Sequence, residues 1–284
     1  MKERRKIDVA TLFGIIGGLT LVFFAIIKRG QAIGTALPRG ILGAFADPVS
    51  EVTSILITVG GTFAAVFVNY PIQTVGRMFK VMARALFSTE QDPTDVIEQL
   101  IKFSRIARKE GPLALERELK HVENKFLKRA IQLVVDGASS DRIRAELYTE
   151  INFMRERHRI GQEMFQMLGT YCPAFGMLGT IIGLIMLLGS VQNPSQVTAG
   201  MSVALLTTFW GVLMGYLIFL PIAGKLKRRS DEEAFINQII IEGVLSIQAG
   251  ENPMIMEGKL KAYLAPHLRE ILAKRKRIRV PLVK

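Results

Sequence analysis

Between Phe165 and Ile222 the chain contains no Asp, Glu, Lys, Arg or His: two long apolar segments, YCPAFGMLGTIIGLIMLLG and AGMSVALLTTFWGVLMGYLIFLP, are joined only by the uncharged stretch VQNPSQVT. About 20 apolar residues suffice to cross the hydrocarbon of a bilayer, and there every backbone polar group must be satisfied within the protein, so adjacent segments of this kind are membrane helices. They are not chemically blank. Thr180, Thr207 and Thr208 bring hydroxyls to membrane depth, while Pro173 and Pro221 each remove a backbone donor. The pair reads as the wall of a pore with no ionisable group of its own.

The rest of the chain fits the same environment. Its 284 residues would be enough for two soluble domains, but 49% of them are hydrophobic, and four uncharged runs account for the excess: Val9 to Ile27, Val52 to Tyr70, Phe165 to Ser190 and Thr198 to Ala223. The first follows MKERRK as a signal peptide would. It is longer than a usual signal core and ends in Lys28-Arg29 without a small-residue cleavage site, so it is read as a retained helix. The net charge of +12 would suggest nucleic acid in a soluble protein, but its distribution argues otherwise. Four Lys/Arg precede the first run, 3 lie between the first two, 17 lie from Pro71 to Glu163, none lies between the last two, and 13 follow Ala223. The positive-inside rule therefore puts both termini and the large central region in the cytoplasm, with Lys28-Arg29 a mild exception. Nucleic acid is not an expected partner, whereas membrane lipid is.

The fold class expected is an all-α membrane protein with four transmembrane helices, a helical cytoplasmic domain between helices 2 and 3, and a cytoplasmic C-terminal helix. The boundaries follow: 1–70 for the first two spans and their short outward connection, 71–163 for the cytoplasmic region, 164–223 for the pore-lining spans, and 224–284 for the last helix and its basic tail. Apolar residues recur at helical spacing in VIEQLIKFSRIA, FLKRAIQLVVDG and IRAELYTEINFMRER, and no strand alternation is sustained. The stretch KLKRRSDEEAFINQIIIEGVLSIQ continues the fourth span as an amphipathic helix fit to pack on the central region. The tail AKRKRIRVPLVK reads as solvated or in contact with headgroups. Gly60-Gly61 in the second span and Gly176, Gly179 and Gly183 in the third are expected to admit neighbouring helices. The single cysteine, Cys172, reads as a buried structural thiol.

No enzyme signature is present: His121, His158 and His267 are scattered, and there is no metal-ligand spacing, Walker loop or nucleophile elbow. An ion in hydrocarbon costs several kcal/mol unless its charge finds partners. Here Thr180 and Thr208 offer hydroxyl oxygens, and carbonyls freed near Pro173 and Pro221 add to them. These are suitable ligands for a transient Na⁺ but not a proton relay, so the counter-charge is expected on a membrane-embedded partner helix carrying Asp or Glu. The alternative is that both threonines bond to their own helix four residues back.

CPAFGMLGTIIGL, TTFWGVLMGYLIFLP, ILITVGGTFAAVFVNYP and RKEGPLALERE together resemble the flagellar stator A subunit, the MotA/PomA family within the MotA/TolQ/ExbB superfamily. The resemblance covers nearly the whole chain, and its two spans before the loop and two after it differ from the three usual in the TolQ/ExbB branch. It implies an inner-membrane, multi-pass protein in a pentameric ring around two B-type stator subunits, each with an essential membrane Asp and a peptidoglycan-binding domain. It also implies flow of Na⁺ or H⁺ that turns the ring against a rotor switch-complex protein, with no cofactor. Pro173 and Pro221 match the family's prolines that couple ion binding to conformational change, against the plainer reading of helix kinks. Arg108 and Glu116 match its two rotor-engaging charges. They flank Gly111-Pro112, a helix stop and start, where each could instead merely complement a helix dipole. Threonine at both 180 and 208 resembles the sodium-driven members. The nearest alternative is an ExbB/TolQ-like energiser of outer-membrane transport or envelope maintenance.

Overall fold

The computed structural model describes residues 16, 20, 48–78, 92–189, 192 and 194–279. The expected first span, its outward connection and the last five residues of the basic tail lie outside these, apart from Ile16 and Thr20, where the Thr20 hydroxyl donates to the Ile16 carbonyl one turn back.

Every regular element among the described residues is helical. Helix α1 (Pro48–Ile55) passes through a π-helical turn (Leu56–Gly60) into α2 (Gly61–Asn69), and Pro71 follows, where its ring opposes continuation. Helix α3 (Pro93–Glu110) starts with an Asp92 side chain accepting from the Thr94 N–H and a proline in its first turn, and stops at Gly111, whose φ of +87° suits glycine alone. A 3₁₀ turn (Pro112–Ala114) leads into the short α4 (Leu115–Glu118). Asn124 then caps α5 (Lys125–Val135) by accepting from the Leu127 N–H. Next come α6 (Ser140–Gly189), with Pro173 inside it, and α7 (Pro194–Val212). A second π-helical stretch (Leu213–Phe219) runs into α8 (Leu220–Gln248), followed by α9 (Pro253–Ala262) and α10 (Pro266–Arg279).

Three of the helical runs described are long and apolar enough to cross a membrane: Val49–Asn69, Ser140–Gly189 and Val197–Gln248. Each contains the bulk of one span expected from the sequence. The latter two extend far beyond it, because the amphipathic helix on one side joins the apolar span without a break.

The chain divides into two compact units, Met1–Thr89 with His158–Arg228 and Glu90–Arg157 with Arg229–Lys284. The second has an ordinary hydrophobic core. Ile97 and Leu100 of α3, Leu127 and Ile131 of α5, Leu147 of α6 and Ile240 of α8 are all at 0% exposure within one cluster. This is why α3, α5 and the start of α6 show the 3.6-residue periodicity so clearly: each hides one stripe and wets the other. The helix from Ala234 to Ile247 packs into the same core, as its amphipathic pattern indicates. Leu260 and Met256 of α9 close it from another side. Lys259 donates to Glu251 across 2.5 Å and Ser246 adds a further bond, which together hold that carboxyl below the usual carboxylate range.

The first unit is built on different terms. Its cluster of Val66, Met164, Phe165, Leu168, Cys172 and Phe219 is small, while Ile181, Ile185, Leu205 and Tyr216 stay largely exposed, as lipid-facing side chains do. Cys172 is a free thiol within that cluster, in line with a structural role.

Leu147→Ala leaves a cavity in a site with no exposure and is expected to cost about 2–5 kcal/mol. In a thermal melt of the purified protein that should lower the melting temperature by more than about 5 °C. Arg144→Ala, at an exposed position one turn earlier, is expected to shift it little; equal effects from the two would contradict the core as described.

Candidate ion pathway between two membrane helices

The first unit is held together by close backbone contact. A Cβ added to Gly176 would lie 2.9 Å from the Thr207 carbonyl oxygen, one on Gly183 2.6 Å from the Gly200 carbonyl, and one on Gly211 2.8 Å from the Cys172 carbonyl. Glycine therefore lets α6 and α7 touch main chain to main chain, the favoured way to associate helices where lipid gives no hydrophobic drive. Gly179 faces Thr207 directly, with its Cβ position 2.4 Å from that side chain. The glycines expected to pack do so, with one correction: only Gly61 of the Gly60-Gly61 pair is approached, by the Phe175 ring, and Gly60 faces open space.

This proximity brings Thr180 and Thr208 together. Their hydroxyl oxygens are 2.5 Å apart, and both reach the carbonyl of Gly176, at 3.1 Å from Thr180 and 3.4 Å from Thr208. Of the two alternatives for the threonines, Thr180 does bond to its own helix four residues back. Thr208 does not; its acceptor is across the interface, and its neighbour Thr207 makes the own-helix bonds, to Val203 at 2.8 Å and Ala204 at 3.1 Å.

Two hydroxyl hydrogens serve the two shortest contacts when Thr208 donates to Thr180 and Thr180 donates to Gly176. Each hydroxyl has two acceptor lone pairs. Either atom can be the donor in the contact between them, and whichever donates, the two hydroxyls keep acceptor lone pairs beyond the bonds they make. The pair can hold a cation, or accept from a protonated acid, but it offers no charge. Among the described residues no group of three or more His, Cys, Asp or Glu is placed to hold a metal ion.

Pro173 lies along the same interface. It has no N–H, so the Gly169 carbonyl four residues earlier loses its helical donor. Facing that carbonyl is Gly215, inside the second π-helical stretch; a Cβ there would fall 2.9 Å from the Gly169 oxygen and 2.9 Å from Pro173 Cδ. Pro221, exposed, is the second residue of α8 directly after the π-helical stretch. Neither proline interrupts the helical run.

The sequence reading missed a buried hydroxyl column in the second span. Ser50, Ser54, Thr58 and Thr62 recur every four residues and are at most 3% exposed. Thr58 donates across to the Thr207 carbonyl at 3.3 Å, Thr62 back to Thr58 at 2.6 Å and Ser54 back to Ser50 at 2.6 Å. The four-residue spacing was visible in the sequence; that this face meets α7 was not.

In the second unit, Arg108 in the last turn of α3 and Glu116 in α4 are both exposed, on either side of the Gly111-Pro112 turn. Neither is in an ion pair among the described residues, whereas Glu118 pairs with Lys102 at 2.6 Å and Arg117 approaches Glu110 at 3.9 Å.

The model of the MotA/TolQ/ExbB proton channel family matches residues 118–238. The chain is 38% identical to the chemotaxis protein PomA of Vibrio alginolyticus over 90% of its own length and 95% of the relative's. It is 40% identical to motility protein A of Borreliella burgdorferi, over 85% of this chain and 94% of that one. It belongs to the MotA/PomA branch of that family. Its fold matches a chain in the structure of the flagellar MotAB stator complex from Bacillus subtilis with a TM-score of 0.77 and 33% identity, covering 92% of this chain and 98% of that one.

Gly215→Ala is expected to wedge the interface at the freed Gly169 carbonyl and lower the melting temperature of the purified protein. Adding Pro173→Ala restores an N–H to that carbonyl and removes the ring, so the double variant should recover part of the loss. Strictly additive effects would show that the two positions do not meet.

Proposed function

We propose that this chain is the ion-conducting stator subunit of a bacterial flagellar motor, converting an ion gradient into torque on the rotor. The observation that carries the reading is the Thr180–Thr208 pair: hydroxyl oxygens brought together from two membrane segments without a charge, in a chain of the MotA/PomA branch. Such a pair needs a carboxylate from another chain. That is the role we assign to a B-type subunit with a membrane Asp and a peptidoglycan-binding domain, around which five copies of this chain form a ring. Threonine at both positions supports Na⁺ over H⁺ as the ion. Ion capture by the partner's carboxylate is completed by Thr180 and Thr208. Release toward the cytoplasm is coupled through Pro173 and Pro221, where the helices have lost backbone bonds and can rearrange at low cost.

The assigned topology has four spans in the inner membrane, with both termini, residues 71–163 and residues 224–284 on the cytoplasmic side. It leaves the tip carrying Arg108 and Glu116 to meet the rotor switch complex. The energy scale limits that contact. One elementary charge crossing a membrane yields about 2.3 kcal/mol per 100 mV, while an exposed ion pair is worth about 0–1 kcal/mol. A single charge pair at the tip is therefore weaker than the work of one ion, and torque has to pass through several contacts at once.

Cells lacking the gene are expected to build normal filaments under the electron microscope yet fail to swim, with rescue by the wild-type gene; normal swimming would refute a non-redundant stator role. Thr180→Ala should reduce or abolish the dependence of speed on external sodium, and unchanged speed across graded sodium would refute the sodium site. Reversing either charge, Arg108→Glu or Glu116→Lys, is expected to cut motor torque in a tethered-bead assay more than neutralising it does, since reversal adds repulsion to lost attraction.

A further inference from the structure

We propose that the turn between Arg108 and Glu116 carries an apolar anchor: Leu113 seats in an apolar pocket of the rotor-side partner, and the two charges form its rim. The proposal rests on the reading of this turn as the rotor contact and adds to it the residue at the centre. Leu113 is 71% exposed, while the next two residues, Ala114 at 7% and Leu115 at 0%, go into the core.

An isolated exposed leucine requires no explanation. This one is presented on fixed backbone. Gly111 donates to Ala107 at 3.0 Å and Ala114 to Gly111 at 3.2 Å. Pro112 restricts the turn from within, and Leu115 and Leu119 pin the following helix to the second unit's core. The Lys102–Glu118 pair ties α3 to α4 beside it. Leu113 thus loses little freedom on binding, and the hydrophobic core of the unit does not need it.

The surrounding charge defines the partner. Arg108, Lys109 and Glu110 are exposed before the apex and Glu116 and Arg117 after it. Glu110 and Arg117 approach each other at 3.9 Å, so the charges left to a partner are Arg108 and Lys109 on the α3 side and Glu116 on the α4 side. A matching surface has an acidic group toward the first, a basic group toward the second, and an apolar recess between them. A small apolar centre, ringed by polar groups that exclude water, is the usual anatomy of an energetic hot spot. It also answers the weakness of the rim, because salt screens exposed charges but not apolar burial.

The test uses the full-length chain in its motor. A photo-crosslinking amino acid at position 113 is expected to capture a switch-complex protein, while the same probe at Ile255, exposed elsewhere on the second unit, is not. Leu113→Asp should lower torque per stator about tenfold, the loss of one hot-spot side chain, and Leu113→Ala by less, with ion flux through the reconstituted complex unchanged in both. Should Leu113→Asp fail to accumulate in the membrane, Leu113→Ala and the crosslink carry the test. Wild-type torque in the Leu113 variants while Arg108→Glu loses torque would overturn the anchor and leave the rotor contact standing. Wild-type torque in all of them, with no capture from position 113, would overturn the contact itself.

Discussion

The backbones of α6 and α7 touch where Gly176, Gly183 and Gly211 have no side chain to separate them, with added Cβ atoms falling 2.6–2.9 Å from opposing carbonyls. In hydrocarbon this contact does the work that apolar burial does in water, because lipid tails compete on equal terms for any leucine. Its chemical consequence is that side-chain hydroxyls on one helix reach carbonyls of the other. The Gly176 carbonyl accepts from Thr180 on its own helix and Thr208 on the next, and Thr207 receives Thr58 from the second span. Bulkier residues along this seam would move the threonines apart and leave each to its own helix. The acceptor pair exists because the glycines are there.

The second unit obeys the opposite rule, and the contrast explains what could be read in advance. Where one stripe of a helix is buried and the other wet, the period of the sequence gives both the element and its inward face. The core residues Ile97, Leu127, Leu147 and Ile240 all fall on the stripes their patterns indicate. The turn was equally legible, since Gly111 at φ +87° followed by Pro112 allows little else. In the membrane segments length and absence of charge locate the spans, but an apolar helix shows no stripe, so nothing in the residues said whether Thr207 or Thr208 faces Thr180. From the sequence, Thr208 is paired with Thr180 without a spatial reason, and the reason is visible only in the structure. The π-helical stretches left no residue signature at all, because they arise from how the helix accommodates a neighbour.

A proline inside such a seam has a specific cost and use. Pro173 strips a donor from Gly169, in surroundings where water cannot replace it, and the side-chain-free Gly215 faces that carbonyl. A Cα–H···O contact is worth about half an N–H···O bond, so this level is held more weakly than the one at Thr180, Thr208 and Gly176, which are joined by hydrogen bonds. A rearrangement driven by an ion at the hydroxyls would find its cheapest path at the proline level. The π turn at Leu213–Phe219 adds to this, since i→i+5 bonds return to the α-helical register with a shift of one residue.

The proposed function makes opposite demands on the two units. A device that turns the passage of one charge into motion cannot be rigid where the ion binds, or the ion would change nothing, and cannot be soft where load is applied, or the change would dissipate. The glycine seam with its donorless carbonyl meets the first condition. The tip, proposed as the point of load, has the means available to a short turn for meeting the second: a glycine and a proline that fix its path, an α3–α4 ion pair, and two leucines buried behind it. Its rigidity is worth having only if what it presents to the partner grips, and exposed charges by themselves grip weakly. That is the physical reason to look at the exposed leucine between them.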